Sequence, residues 1–169
     1  EFSLLEEEKH NSGNSHINSF HSLEIKKLSF RYPGRPAILQ NITLSVNIGE
    51  IIAIMGENGS GKSTLVQIIQ RHYQNNNGSV IINGEIPLSA IQLAHWRSMY
   101  AIVPQNIHIF NSTIIENIAF DDAVTNPDSV IEFLKHCGFY SYFEKLPQSC
   151  HTLIGEEGIN LSGGQRQLI

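Results

Sequence analysis

The chain has 169 residues, of which 41% are hydrophobic and 16% charged, the balance of a globular domain with a sizeable core rather than of a disordered segment. A net charge of −5 with no cluster of Lys or Arg argues against nucleic acid as a partner, because neutralising phosphates supplies most of that affinity. No stretch approaches the roughly 18 to 20 consecutive apolar residues of a membrane span, and Cys137 and Cys150 read as reduced thiols in a cytosolic setting.

In chain order, residues 1–21 stand apart. Glu6, Glu7, Glu8 and Lys9 precede a Ser/Asn-rich run without apolar period, which reads as a solvated linker. Its His10, His16 and His21 lack the regular spacing of a metal site. Order is expected from about Leu23. Leu28, Phe30 and Tyr32 alternate with polar residues as on a half-buried strand, and Ile42, Leu44, Val46 and Ile48 do so again, with a turn at Pro33, Gly34 and Pro36 between them. The continuous apolar run Ile51 to Met55 predicts a strand buried on both faces, and hence a parallel sheet.

From Lys62 on, Leu65, Ile68, Ile69 and His72 share a helical face that ends at Asn75-Asn76-Asn77-Gly78. Val80 to Ile82 is a short strand closed by the turn Asn83-Gly84. Met99 to Val103 predicts another strand, stopped by Pro104. Thr113 and Glu116 have capping-box spacing before a short helix. Asn126 and Pro127 open a longer one, with Val130, Ile131, Leu134 and Cys137 on one face and Gly138 at its end. Antiparallel-type strands followed by strand–loop–helix units give an α/β layered fold.

Gly56-Glu57-Asn58-Gly59-Ser60-Gly61-Lys62-Ser63-Thr64 matches G-x-x-x-x-G-K-[ST], placed after the expected buried strand and at the start of an amphipathic helix. Glycines let the backbone curl so that its N–H groups point at phosphates, and the helix N-terminus adds partial positive charge. Lys62 is expected at the β- and γ-phosphates, Ser63 on Mg²⁺, and Thr64 beside the α- and β-phosphates.

A second constellation, Leu161-Ser162-Gly163-Gly164-Gln165-Arg166-Gln167, suggests Ser162 as an N-cap with anion-binding amides beside it. Together the two motifs resemble those of ABC ATPases, over about Leu23 to the end of the chain. That resemblance implies a P-loop NTPase-type layered fold: a central, mostly parallel sheet, an N-terminal antiparallel β subdomain and a helical subdomain. It implies ATP as ligand with Mg²⁺. Tyr32 falls where the family stacks an aromatic ring on adenine. Gln105 falls at the Q-loop glutamine, which helps hold Mg²⁺ and senses the γ-phosphate; Lys62 and Gln105 are the residues assigned to catalysis. The segment VPQNIHIFNSTIIENIAF is similar to the exporter loop that touches a transmembrane partner, and Thr152-Leu153-Ile154-Gly155-Glu156-Glu157-Gly158 resembles a further exporter loop of the same use.

By the same resemblance, two such domains pair head to tail, and Ser162, Gly163, Gly164 and Gln165 meet the ATP held by the partner's phosphate loop. A transmembrane domain, fused or separate, would hold the pair at the cytoplasmic face of the membrane, with residues 1–21 as the linker and 22–169 as an ATP-binding domain, incomplete at its C-terminus. Family members carry an acidic pair for Mg²⁺ and water after the signature, and none follows here. Ile118-Ala119-Phe120-Asp121-Asp122 precedes it and reads as a loop start instead. ATP binding with negligible hydrolysis is therefore expected of these 169 residues. The rival readings are a soluble non-transport ABC ATPase, a P-loop kinase or GTPase, which would leave Leu161–Gln165 unaccounted for, and a regulatory nucleotide-binding module.

Overall fold

The computed structural model describes residues 13–75, 77–120, 126–156 and 159–169. The acidic start with His10, and Asn76, Asp121, Asp122, Glu157 and Gly158, lie outside the described residues. The chain forms two compact units, one running to Ala101 and the other from Ile102 to Ile169.

In the first unit β1 (Ser22–Arg31), β2 (Ala37–Asn47), β3 (Asn77–Ile82) and β4 (Ile86–Pro87) form an antiparallel sheet in the order β2-β1-β3-β4. Strand β1 buries Leu23 and Ile25, then Leu28 and Phe30, so its alternation changes phase midway. The extra residue is absorbed at Lys26-Lys27, where Lys27 takes φ 49° and the register with β2 shifts, as in a β-bulge. Helix α1 (Lys62–Ile69) lays Leu65 and Ile68 into this core. Ile69 is half-buried, while His72 lies past the helix end and is exposed. Helix α2 (Leu93–Ser98) adds Trp96.

Order begins earlier than the sequence suggests. Residues 13–21, expected to be solvated, dock along the 88–95 segment: Ser15 forms a parallel bridge with Ile91, and Ile17 is buried in the core. Burying an isoleucine side chain is worth about 1.5–3 kcal/mol, enough to hold a short polar stretch in place. The turn Asn83-Gly84 assists, since the Asn83 side chain accepts from the N–H groups of His21 and Ser22 and donates to the Ser19 carbonyl.

The expected central parallel sheet is not found among the described residues. Ile51 to Met55 belongs to no strand and lies exposed, Ile51 at 99% and Met55 at 89%. Met99 to Val103 forms no strand either. A strand buried on both faces needs hydrogen-bonded neighbours on each side, and neither apolar run is laddered to one. Ile48, placed by alternation on the buried side, is exposed just past the end of β2. No helix among the described residues is long and apolar enough to cross a membrane.

The second unit is largely helical. Its core gathers Ile114, Ile115, Val130, Leu134, Phe143, Cys150, Ile154 and Leu161. Strand β5 (Ser112–Thr113) pairs antiparallel with β6 (Leu153–Ile154). Helix α3 (Ile114–Ala119) starts at the Thr113–Glu116 capping box, and α4 (Pro127–His136) starts at Asn126, whose side chain accepts from the Asp128 N–H. Val130 and Leu134 of α4 face inward; Cys137 is exposed. Helix α5 (Tyr140–Phe143) supplies Phe143, and α6 (Gly163–Arg166) is a single turn.

Candidate functional site

The motif Gly56–Thr64 forms an exposed turn that runs into α1. Gly61 is the residue before the helix and takes φ 92°, a left-handed conformation that side chains disfavour. A Cβ there would also stand 2.7 Å from Leu39 Cδ2 and 3.2 Å from the Ile38 carbonyl oxygen. Both conformation and space therefore require glycine. No side chain caps α1, nor the short α2 and α5, whereas Thr113, Asn126 and Ser162 cap α3, α4 and α6. The amides of the first turn of α1, which no helix satisfies from within, are thus left to an external acceptor, and the first turn carries no acid to compete. The ammonium of Lys62 folds back over the turn and donates to the carbonyls of Gly56 at 2.8 Å and Glu57 at 2.7 Å. Glu57, Asn58, Gly59, Ser60 and Ser63 are exposed around it.

Tyr32 lies just past the end of β1 in the same unit. Its hydroxyl lies 3.0 Å from Thr64 Oγ1, and Thr64 is buried. Its ring meets Phe30 at 5.0 Å and Tyr73 at 5.3 Å, both edge-on, the arrangement that aromatic quadrupoles favour. Tyr73 was not legible from the sequence; its only signal is an aromatic residue placed just past the end of the phosphate-loop helix. The other end of α1 is also tied down, with the Trp96 indole N–H donating to the Ile69 carbonyl at 2.8 Å and the Tyr100 hydroxyl to the Gln70 carbonyl.

In the second unit Ser162 caps α6, as its place before two glycines suggests. Its hydroxyl accepts from the Gln165 N–H at 3.3 Å, and the Gln165 side chain accepts from the Ser162 N–H at 2.9 Å. Gly163 and Gly164 have open space where a side chain would stand. Leu161 is packed in the core, so the motif is anchored at its first residue and exposed after it. Gln105 lies exposed in the same unit. The two segments with exporter resemblance meet here, since β5 and β6 belong one to each. The rings of Phe110 and Phe120 lie 5.3 Å apart, tilted by 38°, and are both exposed, with the Asn117 side chain bonded to the backbone of Phe110 on both sides.

Three hydroxyl or amide donors converge on Glu116: the Ser112 hydroxyl, the Thr113 N–H and the Thr113 hydroxyl. They hold its carboxyl below the ordinary value of 4.5. Burial pushes the Cys150 thiol up, which keeps it a protonated core residue rather than a nucleophile.

The structure thus gathers Tyr32, Gly56, Glu57, Gly61, Lys62 and Thr64 in one unit and Ser162, Gly163, Gly164 and Gln165 in the other. Residues 39–169 match the family described as ABC transporter. The chain is 40% identical over 147 residues to an ATP-dependent lipid A-core flippase of Aromatoleum aromaticum, covering 86% of this chain and 24% of that protein. It is 38% identical over 150 residues to a putative export ATP-binding/permease protein of Rickettsia typhi, covering 88% and 26%. With the lipid A-core flippase of Haemophilus influenzae the identity is 38% over 166 residues, covering 96% and 28%. The chain spans about a quarter of the length of these relatives. A family match running through both motifs, with relatives 38–40% identical over most of the chain, leads to one conclusion: this is an ATP-binding domain of the ABC transporter family, homologous to those of exporter-type members.

Proposed function

We propose that the chain binds ATP at Gly56–Thr64 and that this binding, in the whole protein, drives export of a substrate across a membrane. The observation that carries the reading is the uncapped start of α1, with a glycine-only entry and the Lys62 ammonium held over the turn. Lys62 would exchange its carbonyl partners for the β- and γ-phosphate oxygens, a stronger charge-assisted contact. Tyr32, braced by Phe30 and Tyr73, would present its ring to adenine.

The exposed Ser63 hydroxyl beside the turn suits magnesium, being a hard oxygen ligand of the kind that ion takes alongside phosphate, and Gln105 would be the further ligand that the family resemblance implies. When bound, magnesium would offset charge on the phosphate chain. Ser162, Gly163, Gly164 and Gln165 would bind the nucleotide held by a second ATP-binding domain, in a head-to-tail pair. The names of the relatives, export ATP-binding/permease protein among them, support a membrane domain as the further partner, at the cytoplasmic face. Residues 1–21 would be the connection to it.

The chain is expected to bind ATP at the Gly56–Thr64 turn. Calorimetry with ATP and magnesium on the chain and on Lys62→Ala tests the reading. Binding that depends on Lys62 supports it; absence of binding by a folded chain rejects it.

A further inference from the structure

We infer that the Gly13–His21 strap is a mechanical input to the phosphate loop, so that strap docking and nucleotide binding are energetically coupled through Ile91. The inference rests on the nucleotide reading above.

The strap is held along one side of the 90–95 segment. The Ser15 N–H donates to the Ala90 carbonyl and the Gln92 N–H to the Ser15 carbonyl, each at 2.9 Å, on either side of Ile91. The Ile17 N–H lies 3.2 Å from His95 Nε2, and the Ile17 carbonyl 2.9 Å from the same nitrogen. One ring nitrogen serves only one of them at a time, so the His95 tautomer selects the bond. The His16 ring rests 4.6 Å from that of His95.

The other side of the segment holds the far end of α1. The Ile91 carbonyl accepts from the Arg71 guanidinium, and Arg71 sits two residues beyond α1 with its own N–H on the Ile68 carbonyl. Trp96 and Tyr100 hold the neighbouring carbonyls of Ile69 and Gln70. Eight helical residues make a rod about 12 Å long, and its other end is Lys62. Ile91 therefore contacts the strap through one flank and the phosphate-loop helix through its carbonyl.

The strap lies outside the named strands and is held by Ile17 and by hydrogen bonds to Ala90, Gln92, His95, Asn83 and Ile48, so that it docks or releases as one local unit. It supplies the two-state element that real coupling demands. Nucleotide that orders α1 must then favour the docked strap, and by linkage the docked strap must favour nucleotide by the same factor.

Amide hydrogen exchange on the full chain tests this, with and without magnesium and ATP at saturation verified by calorimetry. At Ser15, Ile17 and Gln92 exchange is expected to slow by about fivefold or more with nucleotide. In Gly13→Ala, where the new Cβ would stand 1.9 Å from the Ala90 carbonyl oxygen, the strap should exchange faster and ATP affinity should fall by a matching factor. His95→Ala should do the same and His95→Gln, which keeps a hydrogen-bonding group, should recover part of the loss, a pattern that mere destabilisation would not give. Normal ATP binding with unchanged strap exchange, or a released strap with unchanged affinity, overturns the coupling alone. A folded chain that binds no ATP overturns the nucleotide reading as well.

Discussion

The hydroxyl of Tyr32 lies 3.0 Å from that of Thr64, joining the end of β1 to the first turn of the phosphate-loop helix. The sheet thereby fixes where the helix starts. Tyr32→Phe removes that bond and leaves the buried Thr64 hydroxyl short of a partner, a loss of about 1 kcal/mol or more. Denaturant unfolding should show it, while ATP affinity stays near the parent value because the ring remains. Tyr32→Ala should weaken ATP as well, by about 0.5–1.5 kcal/mol of lost ring contact.

Lys62→Ala removes the one cation that folds over the turn. Hydrogen bonds to charged groups contribute about 1.5–3 kcal/mol, so ATP affinity should fall at least tenfold in calorimetry. The melting temperature without nucleotide should move little, since Lys62 bonds only exposed carbonyls.

Gly61→Ala meets both a left-handed backbone and the Leu39 and Ile38 atoms. A strained residue of this kind costs about 1–3 kcal/mol. Thermal melting should drop, and ATP binding should fall further than stability alone explains, because the amides beside residue 61 lose their aim.

The capping box of α3 should respond to acid. The Glu116 pKa is lowered in the folded chain, chiefly by the Ser112 hydroxyl and then by Thr113. A depressed carboxylate contributes stability that is present above its unfolded value and is lost as pH falls through the folded value. Protection factors across residues 114–119, corrected for the intrinsic pH dependence of amide exchange, should therefore be constant at neutral pH and fall only below about pH 4.5, the ordinary value. Glu116→Gln should abolish that acid dependence.

Ser162→Ala deletes the N-cap of α6, a change worth about 0.5–2 kcal/mol. Local exchange at Gln165 should rise, while the Leu161-anchored core of the second unit stays folded. Ser162→Asp should restore the cap, yet should weaken any head-to-tail pairing on ATP by setting a carboxylate against phosphate.

Much of the local structure around the motifs was legible because turn and cap chemistry dictates residue types locally. The phosphate motif, the Ser162 cap, the Thr113–Glu116 box and the Asn126-Pro127 start each depend on neighbours within a few positions, and the structure forms all three caps as read. What depends on partners far along the chain was not legible. The apolar run Ile51–Met55 carries the composition of an interior strand, yet a strand exists only with neighbours to bond. The docking of residues 13–21 rests on Ile17 and on side chains such as Asn83 and His95, more than 60 positions away. Polar composition conceals such a strap, because only two apolar residues, Ile17 and Phe20, carry its burial.

The exposure of Ile51 through Met55 also bears on handling the material. Five apolar residues without charge or proline, presenting unbonded backbone, make a template for intermolecular cross-β stacking. Inclusion bodies and concentration-dependent turbidity are to be expected on overproduction, and a lysine introduced at Ile51, 99% exposed, should keep the preparation clear without disturbing either core.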